Sequence, residues 1–337
     1  MINLFKDIAN FSKLKNLDKN IKYCFFVENK FIFNYLEPYI KKKNSEKTII
    51  VSFTDLELEN GYKYLIFKTF FFQSLFFLFH TFKYFITSTP DLDENFYYKK
   101  SKFNKTKYIY IQHSPLSLTK IYQEKAFINF DLVHVVNLFQ EKEIKKIRNI
   151  YDKNIKIYKS PYLFLKNIKT NDYTKKDKKK VLIAPTWSTN FFKLNIHEKI
   201  FELLKKENIE FTFRPHPMSI KMNEISSDEI KKKNIDLDLR SKINFADYTD
   251  LISDWSGIFV EFALIKKKFP ILINNDQKIR NKNENFYKEL PIEIFARDKI
   301  ANQVKTDDLE EIIRLLNKND YSNEKKTIES FSKDYFF

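Results

Sequence analysis

Three short stretches of the chain hold residues that could do chemistry on a phosphorylated ligand. "YIYIQHSPLSLTKIY" (108–122) ends an apolar run on His113, beside Ser114 and the turn-setting Pro115, with Ser117 close behind. Histidine titrates near neutrality and is the commonest general base, although a lone histidine serves equally as a packing residue. "FRPHPMS" (213–219) brackets His216 between two prolines, which fix the backbone on either side of the imidazole. It also carries Arg214, one of six arginines in a lysine-saturated chain. A planar guanidinium binds phosphate in a bidentate way that lysine cannot copy; the structural alternative is an ion pair with a nearby carboxylate. "LISDWSGIFVEFAL" (251–264) turns through Asp254, Ser256 and Gly257 into apolar residues at helical spacing, with Glu261 one turn in. Unpaired N–H groups at a helix start attract phosphate, and a glycine there lets a ligand approach the backbone. Glu261 could then reach ribose hydroxyls. An ordinary N-cap would give the same letters.

Other chemistries are excluded by what the chain lacks. The single cysteine, Cys24, rules out a disulfide framework and a cysteine-based zinc site and fits a reducing compartment. With two glycines, Gly61 and Gly257, there is no phosphate-binding glycine loop and no serine-hydrolase elbow. No paired-histidine metal motif occurs, no acidic triplet stands near the three stretches, and His80, His134 and His197 have packing or surface settings. The formal charge of +16 comes almost wholly from lysine and no recognised nucleic-acid motif accompanies it, so no dedicated nucleic-acid role is expected. An anionic membrane surface is the better partner for such a coat.

The elements that must position these residues alternate. Apolar runs at 21–28, 47–53, 84–92, 107–115, 132–137 and 155–163 read as strands, separated by helical patterns such as 30–42 and 139–151. The alternation restarts at "KVLIAPTW" (180–187), where Thr186 stands at a strand end, and continues through 209–217, 250–256 and 269–274 to a helical tail at 307–333. This predicts two open α/β domains with parallel sheets, 1–165 and 180–337, joined by a polar linker at 166–179, the last helix packing back on the first domain. Ligands bind such sheets at the carboxyl ends of the strands, where every residue named above falls. The aromatic stretch 64–86 is interrupted by Lys68, Gln73, His80 and Lys83, too short an apolar run to span a bilayer; it reads as a buried helix or one lying at a membrane interface. The lysine-peppered N-terminus has no signal-peptide pattern, so a cytoplasmic protein at the inner face of the membrane is expected.

Taken together, "STPDLD" (88–93), "YIQHSPLSLTKIY", "AFINFDLVHVV" (126–136), "VLIAPTW", "FRPHPMS" and "DLISDWSGIFVEFALIKKKFPILI" resemble, in order, the CDP-glycerol glycerophosphotransferase family of teichoic-acid polymerases. The resemblance implies a GT-B-like fold, with two Rossmann-like domains facing a cleft. It implies a transferase moving a glycerol-phosphate or related polyol-phosphate group from a CDP-activated donor to a surface-glycan or lipid-linked acceptor, with no tightly bound cofactor. His113 would be the base, with Ser114 and Ser117 on the acceptor side. Arg214, His216, Asp254, Ser256, Gly257, Glu261 and Thr186 would hold the donor. The chain departs from the family at His113-Ser114-Pro115, where His-Gly-Thr is usual, and at Asp254-Trp255-Ser256-Gly257, where paired serines follow Asp-Tyr. Those departures leave alternatives: a sugar-nucleotide glycosyltransferase for capsule or lipopolysaccharide, a nucleotide-sugar 2-epimerase, or a non-catalytic nucleotide-binding relative.

Overall fold

The computed structural model describes residues 2–58, 61–94, 96–102, 105–166, 179–187, 189–277, 281 and 290–337. Two all-parallel sheets organise the chain. The first contains β1 (Tyr23–Val27), β2 (Thr48–Ser52), β3 (Lys63–Ile66), β4 (Tyr84–Thr87), β5 (Lys107–Tyr110), β6 (Leu132–Val135) and β7 (Lys156–Lys159), in the spatial order 3-2-1-4-5-6-7. The second contains β8 (Lys180–Ile183), β9 (Glu210–Phe213), β10 (Asp236–Leu237), β11 (Asp250–Ser253), β12 (Ile271–Asn274) and β13 (Asn302–Lys305), in the order 10-9-8-11-12-13. Both are doubly wound, reversing between β1 and β4 and between β8 and β11, and such reversals open a crevice at the carboxyl edge.

The strands form where the sequence is apolar without alternation, because helices cover both faces. Cys24 to Val27 of β1 and Ile49 to Val51 of β2 are buried. The helices of the first half are α1 (Ile2–Lys15), α2 (Lys30–Ile40), α3 (Phe70–Phe79), α4 (Leu118–Ile121), α5 (Leu138–Ile150) and α6 (Leu163–Lys166). Those of the second are α7 (Ile196–Lys206), α8 (Pro217–Lys221), α9 (Ser227–Lys232), α10 (Ile258–Lys266), α11 (Ile292–Ile300), α12 (Glu311–Leu316) and α13 (Ser322–Tyr335). One apolar cluster joins the halves: Leu116, Val136, Tyr162 and Phe164 pack with Phe259, Val260, Ala296 and Phe331. α13 lies on α10 and α11, and the residues after it return to the first half, where Phe337 N donates to Val136 O at 3.2 Å.

Several elements differ from the sequence expectation. The stretch 64–86 is not one helix but the end of β3, the ten-residue α3 and the start of β4. The break has a cause: the buried Asp7 of α1 accepts from the N–H groups of Lys68 and Thr69 and from the Thr69 hydroxyl, so α3 can begin only after Thr69. Helix near 117–127 is confined to the single turn of α4, and the tail contains α12 and α13 with β13 and α11 ahead of them. Of the linker expected at 166–179, Lys166 closes α6, Lys179 precedes β8, and 167–178 lie outside the described residues. Among the described residues, no helix is long and apolar enough to cross a membrane.

Candidate active site in the interdomain cleft

The carboxyl edges of the two sheets face each other across a cavity of about 590 Å³. Its first-domain wall comes from the turns after β1 (Glu28, Asn29), β4 (Ser88, Pro90) and β5 (His113, Ser114), with Tyr35 of α2 and Tyr122 beyond α4. Its second-domain wall comes from the turns after β8 (Thr186, Trp187), β9 (Arg214, His216) and β11 (Ser256, Gly257), with Glu261 of α10 and Glu293 of α11. Eight of the ten candidate residues therefore line one cavity, because each follows a strand at the same edge.

The other two lie beneath it. Asp254 is fully buried: its carboxylate accepts from Thr186 N at 2.7 Å and from Asn275 Nδ2 at 3.2 Å. It shapes the turn after β8 and is not among the residues that line the cavity, so any part it has in holding a donor is through that turn. Ser117, expected on the acceptor side, is also buried: its hydroxyl donates to Glu143 and its N–H donates to Glu293 Oε2 at 3.0 Å. It ties α4 to the second domain. A polar residue at a strand end points into the cleft or back into the turn according to partners distant in sequence, which short motifs do not contain.

His113 is packed so that both ring nitrogens meet phenols, Tyr110 Oη at 3.3 Å from Nδ1 and Tyr122 Oη at 3.1 Å from Nε2. Burial pushes its pKa down to about 4, against the opposite pull of a hydrogen bond with the Ser88 backbone. The imidazole is thus neutral at pH 7, as a base must be. His216 caps α8: its Nδ1 accepts from Met218 N at 3.1 Å, which leaves the proton of the neutral ring on Nε2. The Trp187 ring lies 6.0 Å from it. Arg214 is held by Asp238 at 2.9 Å, so the ion-pair reading and the cavity-lining position are both true of it. Burial raises the Asp238 pKa, but two bonds from Arg240 and the charge of Arg214 outweigh it and hold the carboxyl below its usual range.

Glu261 accepts from the Tyr162 hydroxyl at 2.6 Å. Burial pushes its pKa up to about 8, against the pulls of that bond and of Arg214. Gly257 has ordinary right-handed helical angles, so no unusual backbone requires it. A Cβ there would lie 3.1 Å from Ser114 Oγ and 3.3 Å from Leu116 Cγ. The glycine thus permits the close approach of the His113 loop to the start of α10. The N–H groups of that helix start carry no side-chain cap.

Five contributors were not singled out by the sequence. Tyr35, Tyr122 and Tyr162 are lost among 19 tyrosines, and Trp187 was read only as part of a strand. Arg297 was undistinguished in the sequence, yet it is buried, donates to Asp254 O at 2.7 Å and lies 4.1 Å from the Trp255 ring, bracing the turn after β11. Among the described residues no cluster of three histidine, cysteine or carboxylate side chains could hold a metal ion.

Two doubly wound domains whose carboxyl edges face each other across a cavity are the arrangement of the GT-B-like fold. Crystals of the wall teichoic acid polymerase TagF have this fold: one soaked with CDPG for 15 minutes superposes with a TM-score of 0.55 at 13% identity, over 98% of this chain and 88% of that one. A 30-minute soak gives 0.54 at 14% identity, over 98% and 92%. No curated protein sequence matches the chain. The sequence pattern of the family described as CDP-Glycerol:Poly(glycerophosphate) glycerophosphotransferase matches residues 9–336, and the chain belongs to that family. It is an enzyme that moves a polyol-phosphate group from a CDP-activated donor to a glycan acceptor.

Proposed function

We propose that CDP-glycerol binds the second-domain wall and that an acceptor hydroxyl enters from the first. The donor diphosphate sits between Arg214, His216 Nε2–H and the N–H groups that open α10, with Ser256 beside it and Glu261 on the ribose. The acceptor oxygen attacks the β-phosphorus, the bond from that phosphorus to the bridging oxygen breaks, CMP departs, and the acceptor's proton passes to the His113 side. Arg214 and the helix start offset the charge that builds on the leaving phosphate. The observation that carries this reading is the convergence of an imidazole and an arginine, from opposite domains, on one cavity.

Both tryptophans of the chain, Trp187 and Trp255, line that cavity, so donor binding is readable in intrinsic fluorescence. Titration with CDP-glycerol, CDP-ribitol, UDP-sugars and GDP-sugars is expected to rank the cytidine compounds first. A preference for UDP or GDP would move the protein to the glycosyltransferase side of the fold, and binding of none would favour the non-catalytic reading.

The same reading puts the enzyme against an anionic membrane. α1 and α3 pack together through Phe11, Phe72 and Phe79, and they expose Phe5, Ile8, Phe70 and Phe71 with Lys6, Lys13 and Lys15 close by on α1. Apolar side chains beside lysines are the chemistry of an interfacial contact. Flotation with phosphatidylglycerol vesicles is expected to carry the protein up, and the double change Phe5→Glu, Phe71→Glu to leave it at the bottom. Equal recovery of both proteins would count against this surface.

A further inference from the structure

We infer that Tyr122 is a second catalytic residue, a phenol that takes the acceptor's proton in the cleft while handing its own to His113. The inference rests on the assignment of His113 as the base and asks how a substrate reaches it. His113 lines the cavity, and both of its ring nitrogens are met by hydroxyls, Tyr110 Oη and Tyr122 Oη. A neutral imidazole has one N–H and one lone pair, so only one phenol can donate to it. The two phenols are not equivalent. Tyr110 is fully buried in the core of the first sheet, edge-on to Phe127 and Phe130. Tyr122 is half-buried and lines the cavity. Of the two hydroxyls that occupy the ring nitrogens, only that of Tyr122 belongs to a residue lining the cavity, so a proton bound for Nε2 has a phenol at hand in the cleft.

Displacing Tyr122 to expose the imidazole would break its edge contacts with Phe127 at 5.2 Å and with His113 itself at 6.0 Å. Passing a proton through it breaks none. In the relay the acceptor O–H gives its proton to Tyr122 Oη as the phenolic proton moves to Nε2. The acceptor oxygen bonds to the β-phosphorus and the bridging oxygen leaves with CMP. Tyrosine ends neutral, and the imidazolium returns its proton to water. No free phenolate forms, which matters because an ordinary phenol has a pKa of about 10. The Tyr35 hydroxyl feels the Tyr122 charge, which places another phenol close to the same point of the cleft.

The test is Tyr122→Phe, which keeps the ring packing and removes one oxygen. It is expected to lower kcat about 100-fold, the lower end of general acid–base effects, with the fluorescence Kd for CDP-glycerol unchanged. The solvent isotope effect in mixed light and heavy water should bow in the wild type, where two protons move, and become linear in the variant. Incorporating 3,5-difluorotyrosine at position 122 keeps the shape and acidifies the phenol, so kcat should change while Kd does not. Wild-type turnover in Tyr122→Phe overturns the relay. If the wild type itself shows no turnover of CDP-glycerol, the transferase reading has failed instead. The relay is then decided by the ¹⁵N resonances of His113: a shift of Nε2 in Tyr122→Phe supports it and an unmoved signal overturns it.

Discussion

His113→Asn binds CDP-glycerol as the wild type does and transfers almost nothing, a fall in kcat of about 1,000-fold, within the range that general acid–base groups contribute. His113 stands on the first-domain wall, whereas the groups suited to a diphosphate stand on the second, so removing the imidazole takes the base and leaves the donor site. The pH profile sharpens the expectation. An exposed histidine would put the acid limb of kcat/KM near 6.5, but burial holds His113 neutral down to about 4. Activity should stay flat from pH 7 to 5 and fall only as pH drops through about 4, where the imidazole takes up a proton. Stability follows the same sign: the unfolded chain binds this proton first, so folding weakens as pH falls from 6.5 towards 4, and His113→Asn removes that part of the slope. A limb that remains near 6.5 in the wild type would mean that another group is the base.

Much of this site was legible because its residues sit where sequence punctuation is strongest. Fully buried parallel strands read as unbroken apolar runs, and the polar residue that ends each run must fall at the carboxyl edge; hence His113, Thr186, Arg214 and Ser256 could be assigned to one side of their sheets. The same logic cannot tell which way a side chain turns. Asp254 and Ser117 occupy equivalent places and point inward, because Thr186 N and Glu143 offer them partners there. Gly257 was noticed for its rarity, but its cause lies about 140 residues away, in the Ser114–Leu116 loop that a Cβ would press against. The aromatic wall was hidden by abundance: when 19 residues are tyrosine, no single one stands out until its neighbours are known.

Arg214→Ala is expected to raise the Kd for CDP-glycerol about 100-fold while the fold holds. Hydrogen bonds to charged partners contribute about 1.5–3 kcal/mol, and about 2.7 kcal/mol corresponds to two decades of affinity. Arg214 is also half of a buried ion pair, and a loss of affinity caused by unfolding has to be told apart from a loss of donor contacts. Asp238 allows the distinction. After Arg214 is gone, the Asp238 carboxylate still accepts from Arg240 Nε at 2.9 Å and from Arg240 Nη2 at 3.1 Å, so no buried charge is left alone. Arg240 is more than half exposed and cannot replace Arg214 in the cleft. Arg214→Lys separates the two contributions further. It keeps a point charge but loses the planar fork, and should recover about one of the two lost decades. A melting temperature that falls steeply in Arg214→Ala while Kd stays put would make the arginine structural, and the diphosphate would then need another cation on the same wall.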